Sequence, residues 1–137
     1  MPRKVPLILL AAAQAATLAV WEELLGHVHY ATITCQTAWA TQQCIDTNQP
    51  DLLLLACDLD WYGAGWDLLY NVRQRPATAR LPVIMYTTDR HWLRVQQRQL
   101  HARECRILTH PFSAAELWAV VAAALTQAPL RVRAVAT

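Results

Sequence analysis

The chain has 137 residues, of which 55% are hydrophobic and 16% are charged, and its formal net charge is +2. This length suits one domain with one core, and the apolar composition excludes a disordered chain. The small charge does not by itself argue for nucleic-acid binding, and no apolar run is long enough to span a membrane. We therefore expect one domain over residues 1–127, followed by a tail or truncated linker over residues 128–137.

Five apolar segments alternate along the chain with segments that follow the helical period. They predict strands at residues 5–10, 30–34, 51–57, 81–87 and 105–109. Helices are predicted at residues 14–26, 37–47, 65–74, 89–100 and 113–127. The third strand is the most apolar and is predicted to be central, and Ser113 with Glu116 matches a capping box on the last helix. Three tryptophans on helix faces are predicted to pack in the core, namely Trp21, Trp39 and Trp118.

Regular alternation of strands and helices with short links predicts a parallel sheet that is covered on both faces. Right-handed crossovers then favour an α/β, flavodoxin-like, doubly wound domain. This three-layer α/β/α arrangement has a five-stranded parallel sheet in the order 2-1-3-4-5. Ligands of such folds bind beyond the carboxyl ends of the strands, so the informative positions are residues 11–13, 56–60, 87–88 and 109–110.

The cysteines and glycines limit the possible cofactors. No C-x-x-C pair and no zinc-binding spacing connects Cys35, Cys44, Cys57 and Cys105. Their apolar neighbours predict buried thiols in a reducing compartment, and hence a cytoplasmic protein. With only 3 glycines and no phosphate-binding loop motif, the sequence predicts neither a cofactor nor a metal.

Several landmarks resemble those of the receiver (CheY-like) domain of two-component response regulators, in the same order. They include Pro50-Asp51 followed by four leucines, Pro82-Val83-Ile84-Met85, and Thr109-His110-Pro111-Phe112. Residues 7–10 are similar to the family's first strand, and residues 65–69 to the start of its third helix. The resemblance covers about residues 5–126 and implies the fold predicted above.

The resemblance also implies a phosphorylation pocket that this chain has largely lost. In the family, two acidic residues after the first strand and an acceptor aspartate hold Mg²⁺, and a hydroxyl and a lysine bind the phosphoryl oxygens. The acidic pair maps to Ala11 and Ala12, or to Ala12 and Ala13. Thr87 matches the hydroxyl residue, whereas His110 replaces the lysine. Alanine cannot bind a metal, so this pocket is predicted to be degenerate.

The acceptor position depends on how the chain is aligned with the family. Counting forward from Pro50 reaches Ala56, which we favour, whereas counting back from Gly65 reaches Cys57. A third register, which needs extra residues in the strand, reaches Asp58. In each register the acidic pair and the lysine are still missing.

These residues predict a pseudo-receiver that is not an enzyme and is not phosphorylated on aspartate. It would act through protein-protein interaction in a two-component-type pathway. One alternative is a receiver that accepts the phosphoryl group on Asp58 in an unusual geometry. Another is a thiol-based sensor or enzyme centred on Cys57.

Two groups of residues are candidates for partner contact. An aromatic group follows the third strand and comprises Trp61, Tyr62 and Trp66. A basic stripe on the fourth predicted helix comprises Arg90, Arg94 and Arg98. The expected partner is a signalling protein, such as a kinase, an output domain or another regulator, and a homodimer is also possible. No nucleic-acid or membrane partner is expected.

Overall fold

A five-stranded parallel sheet forms the centre of the molecule in the computed structural model, which describes residues 5–59, 64–102 and 105–126. The strands are β1 Leu7–Ala11, β2 Ala31–Cys35, β3 Leu52–Ala56, β4 Val83–Thr87 and β5 Arg106–Thr109. Their order is β2-β1-β3-β4-β5, and all neighbouring pairs are parallel. The predicted fold class and strand order are therefore confirmed.

Four helices connect the strands and a fifth follows β5, and each begins and ends close to its predicted position. They are α1 Ala15–Gly26, α2 Ala38–Asn48, α3 Ala64–Gln74, α4 Arg90–Ala102 and α5 Ala114–Thr126. The predicted capping box on α5 is confirmed: the Glu116 carboxylate accepts from the Ser113 N–H at 2.7 Å, and Ser113 Oγ accepts from the Glu116 N–H at 3.1 Å. These reciprocal bonds satisfy two N–H groups that the helix itself leaves without acceptors.

The sheet separates two hydrophobic cores because successive strand side chains point to opposite faces. Core A contains Leu9, Leu53 and Leu55 and lies between the sheet and helices α2, α3 and α4. Core B contains Leu10 and Leu54 and lies between the sheet and helices α1 and α5. All five residues of β3 are buried, which agrees with its predicted central position.

The prediction that three tryptophans pack in the core is right for two of them. Trp21 is buried in core B, and Trp118 is half-buried and donates from Nε1 to the Leu24 carbonyl at 2.9 Å. The prediction for Trp39 is wrong, because its side chain is 73% exposed. Helix α2 turns Thr41, Cys44 and Ile45 toward the sheet, and the helical period puts position 39 on the opposite side.

Some predicted features lie outside the described residues. These are Trp61, Tyr62 and the C-terminal tail at 128–137. All four cysteines are described, and each is a free, buried thiol, as the sequence predicted. Within the described segments, no helix is both long and apolar enough to cross a bilayer.

Candidate functional site

A cavity of about 140 Å³ lies beyond the carboxyl ends of β1, β3 and β4. This is the region where folds of this kind bind ligands. Its lining residues come from the ends of these strands and from the segments that follow them. They are Ala12, Ala13, Gln14, Thr17, Ala56, Cys57, Asp58, Tyr86, Thr87, Thr88 and Asp89.

Five of the seven residues predicted for the degenerate pocket line this one cavity: Ala12, Ala56, Cys57, Asp58 and Thr87. The other two lie elsewhere. Ala11 is fully buried in core A as the last residue of β1. His110 lies beside Tyr86 and lines a neighbouring groove.

Cys57 directly follows β3, and its side chain contacts Thr87. Its thiol donates a hydrogen bond to Thr87 Oγ1 at 3.4 Å, and both side chains are buried. Ala56 has the opposite orientation, since its side chain belongs to core B whereas Cys57 belongs to core A. The position beside the hydroxyl residue is therefore occupied by a thiol, and the methyl group of Ala56 lies on the other side of the strand.

Gly65 fixes the path of the chain around Cys57. Its N–H donates to the Cys57 carbonyl at 3.0 Å, at the start of α3. A Cβ atom at position 65 would lie 2.8 Å from the Cys57 Cα and would also collide with the Ala56 carbonyl oxygen. Only glycine allows this close approach without a shift of the backbone, so α3 packs directly onto the end of β3.

Burial makes the Cys57 thiol harder to ionise. Desolvation raises its pKa, and the negative charges of Asp58 and Asp89 raise it further, although the hydrogen bond with Thr87 has a lowering effect. A reactive cysteine needs the opposite environment, with a nearby cation or a helix N-terminus that stabilises the thiolate. At neutral pH the pocket therefore holds a neutral thiol that is a weak nucleophile.

The Thr87 hydroxyl is used in local structure. Besides the Cys57 thiol, it accepts a hydrogen bond from the Asp89 N–H at 3.0 Å. Asp89 in turn accepts from the Trp92 N–H at 2.9 Å through Oδ1 and so caps the beginning of α4. Thr87 thus connects the floor of the cavity to the start of the helix that carries the basic stripe.

Tyr86 is a pocket residue that the sequence did not predict. Its hydroxyl lies 3.3 Å from Nδ1 of His110, and its ring makes edge contacts with Trp21 and Phe112. It separates the cavity from a second groove of about 250 Å³ between α1 and the segment after β5. Burial, with the negative charge of Asp58 as a smaller cause, raises the pKa of Tyr86. The sequence alone does not show whether a tyrosine in a buried strand packs in the core or lines a pocket.

The candidate partner residues fall into two structural classes. Arg90, Arg94 and Arg98 are exposed on α4. Trp66 is only half-exposed, packs against core A and makes an edge contact with Trp92, with ring centroids 6.0 Å apart. The arginines are thus accessible to a partner, whereas much of Trp66 serves internal packing.

No protein-family model and no curated protein sequence matches the chain. Solved structures do resemble it. It is similar to a protein described as a response regulator from Chloroflexus aurantiacus, with 26% identity, a TM-score of 0.80 and coverage of 90% of this chain and 99% of that one. The signal receiver domain of an HD domain-containing protein from Pseudomonas fluorescens gives 24% identity, a TM-score of 0.79 and coverage of 93% and 91%.

A response regulator receiver domain protein from Clostridium thermocellum gives a TM-score of 0.81 at 17% identity, with coverage of 92% of this chain and 98% of that one. At these identities the comparisons establish the fold. The chain accordingly has the fold of response-regulator receiver domains, over nearly its whole length.

Proposed function

We propose that the chain is a response-regulator receiver-like signalling domain that acts through protein-protein interaction and is not phosphorylated on aspartate. The observation that carries the proposal is the Cys57 thiol beside Thr87, in a cavity whose β1 wall is formed by Ala12 and Ala13. The position beside the hydroxyl is occupied by a thiol, whereas the carboxylates that line the cavity, those of Asp58 and Asp89, belong to the segments that follow β3 and β4. On this proposal the domain corresponds to residues 1–127, is not an enzyme, and works in the cytoplasm, where buried thiols stay reduced.

The residues of the cavity do not fit the magnesium ion that receiver phosphorylation uses. Mg²⁺ prefers several oxygen ligands in octahedral geometry, but Ala12 and Ala13 provide none from their side chains. Asp89 uses a carboxylate oxygen to cap α4. Among the described residues, no three His, Cys, Asp or Glu side chains converge on a common point. We therefore derive no metal-dependent step for this chain.

Asp58 supports one rival function, because it is an exposed carboxylate on the rim of the same cavity. If it accepted a phosphoryl group, it would do so without an acidic pair and without the family's lysine. The Cys57 thiol supports another rival, a thiol sensor or enzyme. The raised pKa of Cys57 argues against the second rival, since a thiol-based reaction requires the thiolate.

A phosphorylation assay distinguishes the proposal from the Asp58 alternative. The whole chain is incubated with Mg²⁺ and acetyl phosphate, and its intact mass is measured. We expect no adduct of about 80 Da, the mass of one phosphoryl group. An ordinary receiver that has the acidic pair, the aspartate and the lysine is the positive control in the same reaction.

An adduct of this mass that disappears in Asp58→Asn would replace our proposal with the Asp58 alternative. An adduct that survives in Asp58→Asn would place the modification on another residue and would also contradict the proposal. Asp51→Asn is not a suitable control, because the Asp51 carboxylate accepts from the Leu7 N–H at 2.8 Å and ties β1 to β3.

We further propose that the exposed arginines of α4 bind an acidic surface of a signalling protein. Arg90, Arg94 and Arg98 recur at the helical spacing, so the same side of α4 presents all three. Charged residues of this kind mainly raise the association rate and make it dependent on salt. Neither nucleic acid nor a membrane is the proposed partner, and a homodimer remains a weaker alternative.

The partner proposal is tested with a charge-reversed variant, Arg94→Glu, in a pull-down from the source cells followed by mass spectrometry. A kinase, output protein or other regulator that binds the wild type and is lost with Arg94→Glu would support it. Arg80→Glu, which changes an exposed arginine outside α4, is the matched control. Equal capture of the signalling protein by the wild type and Arg94→Glu would contradict a role for α4.

A further inference from the structure

We propose that the outer edge of β2 is a docking site for residues 130–135 of a second copy of this chain, which pair with it as an additional strand. This segment reads Leu-Arg-Val-Arg-Ala-Val and lies outside the described residues. Extended segments commonly bind to an exposed sheet edge in this way. The edge is separate from the cavity and from the arginines of α4, so its proposed role does not rest on the proposed signalling function.

The outer side of β2 carries backbone groups that can bind another strand. β2 is at the edge of the sheet, and the Ala31 N–H donates to the Pro6 carbonyl at 3.1 Å. Because β2 pairs with β1 in a regular parallel register, Ala31 and every second residue after it turn their backbone groups toward β1. Thr32 and Thr34 therefore turn their N–H and C=O groups outward. Within the described segments, these groups have no hydrogen-bond partner.

The sequence of β2 does not protect this edge. Natural edge strands avoid pairing with other chains through prolines, charged residues or bulges. The strand reads Ala-Thr-Ile-Thr-Cys, with neither a proline nor a charge, and its register with β1 has no bulge. Thr34 is exposed, and Thr32 is half-buried. A second strand can therefore approach the outward backbone groups of both threonines.

The two sides of this edge differ in chemistry. On the side of α1, the exposed Glu22 carboxylate accepts from Thr32 Oγ1 at 3.5 Å, which puts a negative charge next to the strand. On the side of α2, Ile33, Ala38 and Ala40 are half-buried apolar residues that pack against core A. A strand that fits this edge therefore has basic side chains on one face and apolar side chains on the other.

Residues 130–135 have this alternation. In an extended strand, Arg131 and Arg133 share one side, and the residues at 130, 132 and 134, which are all apolar, share the other. Paired with β2, the arginines lie on the side of Glu22 and the apolar residues lie beside Ile33. Opposite charges and apolar contacts across neighbouring strands both stabilise such a pair.

The distribution of charge favours the edge at β2 over the edge at β5. Residues 5–72, which include β1, β2, β3, α1 and α2, contain no lysine and no arginine. The opposite edge strand, β5, begins with Arg106 and contacts α4, which carries the basic stripe. A segment with two arginines is repelled by that edge and attracted to the one beside Glu22.

The segment of the same copy is too short to reach the edge at β2. α5 ends at Thr126 and packs over β4 and β5, on a layer above the sheet. A strand outside β2 lies four strand spacings from β4, which is about 19 Å. The link from Thr126 to Leu130 spans at most about 14 Å when it is fully extended. The occupant of the edge is therefore a second copy.

The test uses the whole chain at low salt, with a reductant, over a range of protein concentrations. Sedimentation velocity measures its mass, and hydrogen exchange followed by NMR measures the protection of each N–H. We expect the mean mass to rise to at least that of a dimer between micromolar and millimolar concentration. Over the same range, exchange of the outward Thr34 N–H should slow by at least about threefold.

A double charge reversal tests the role of the segment. Arg131→Glu combined with Arg133→Glu should keep the chain monomeric over the same range, because it puts carboxylates next to Glu22. The matched control, Arg80→Glu combined with Arg90→Glu, makes the same change in net charge at two exposed arginines of the described domain. The control should associate like the wild type.

A proline tests the role of the edge. Thr34→Pro removes an outward N–H but no bond to β1, so it should abolish association, whereas Thr34→Ala keeps the N–H and should not. Circular dichroism checks that each variant is folded. If Thr34→Pro does not fold, the charge variants and the exchange of the wild-type Thr34 N–H still decide the question.

Four results would overturn the proposal. These are a monomer at every concentration, slow exchange of the Thr34 N–H in a monomer, a dimer in which this N–H exchanges freely, and equal association of the two charge variants. The second result would mean that the edge is covered within one copy, and the third that copies associate through another surface.

Discussion

At the scale of single residues, Thr87 shows how a side chain that matches a functional position can serve structure. Its side chain is 2% exposed, and its hydroxyl meets both the Cys57 thiol and the Asp89 N–H. Its carbonyl also accepts from the His110 N–H at 3.1 Å. These contacts connect β4 to β3, to the start of α4 and to the segment after β5.

We expect Thr87→Val to lower the free energy of unfolding by about 1–2 kcal/mol, because the partly buried Asp89 N–H loses its acceptor while the volume of the side chain is kept. Chemical denaturation measures the change. Thr88→Val is the matched control, since Thr88 is exposed and its replacement should change stability by less than about 0.5 kcal/mol. Equal effects of the two substitutions would show that the Thr87 hydroxyl does not stabilise the fold.

Cys57 should react slowly with an alkylating reagent in the folded protein. Its side chain is 4% exposed and its pKa is raised, so both access and the thiolate fraction are low. We expect iodoacetamide at pH 8 to modify Cys57 at least about tenfold more slowly in the folded protein than in urea, with the site identified by peptide mapping. A folded rate equal to the rate in urea would restore the thiol-enzyme alternative.

The sequence could identify most of the residues around the cavity, but not which strand residue faces Thr87. Ala56 was favoured for the acceptor position because it is reached by counting from Pro50, whereas the structure puts the Cys57 thiol against Thr87. A shift of one residue exchanges the two faces of a strand, and Ala and Cys are both common in buried strands, so composition cannot decide between them. The Tyr86–His110 contact was not predicted, because Tyr86 lies one residue before the predicted positions 87–88 and its side chain packs against core B.

At the scale of secondary-structure elements, the contact between α3 and the end of β3 depends on one glycine. We expect Gly65→Ala to lower the free energy of unfolding by about 3 kcal/mol, because the new Cβ meets backbone atoms of Ala56 and Cys57 that cannot move independently. Gly26→Ala is the matched control, since nothing lies within 4 Å of the new Cβ. This control should be neutral or should stabilise the helix by up to about 1 kcal/mol. Similar stability of the two variants would contradict the close packing of α3.

The order and type of all ten elements could be predicted, because apolar strands and amphipathic helices have different periods and the chain alternates strictly between them. The capping box on α5 could be predicted for a local reason, since Ser113 and Glu116 have the required spacing. The exposure of Trp39 could not be predicted from the sequence. A short helix with small residues on several sides leaves its buried face undetermined until the sheet is present.

At the scale of the whole molecule, the buried thiols predict a loss of stability at alkaline pH. Burial raises the pKa of Cys35 to about 11 and that of Cys105 to about 12 in the folded protein. In the unfolded chain these groups ionise near their ordinary pKa of 9.0. Between these values the unfolded state releases protons that the folded state keeps, so stability is full below about pH 8.5 and falls as the pH rises toward 11.

We expect the free energy of unfolding to fall by on the order of 2 kcal/mol between pH 8.5 and pH 11, measured by urea denaturation in the presence of a reductant. Cys105→Ala should flatten this dependence, whereas Gln43→Ala, an exposed substitution on α2, should not. A stability that is constant or rises over this range would show that the thiols ionise equally in both states.

The division of the interior by the sheet has a consequence for how the sequence changes over time. Leu9 and Leu10 share a peptide bond, yet Leu9 packs in core A and Leu10 packs in core B. A smaller residue at position 9 leaves a space that Leu53 and its neighbours can fill, whereas one at position 10 affects Leu54 and helices α1 and α5. Among descendants of this chain, substitutions at adjacent positions of β1 should therefore occur independently of each other. Each should be accompanied by substitutions at distant positions on its own side of the sheet.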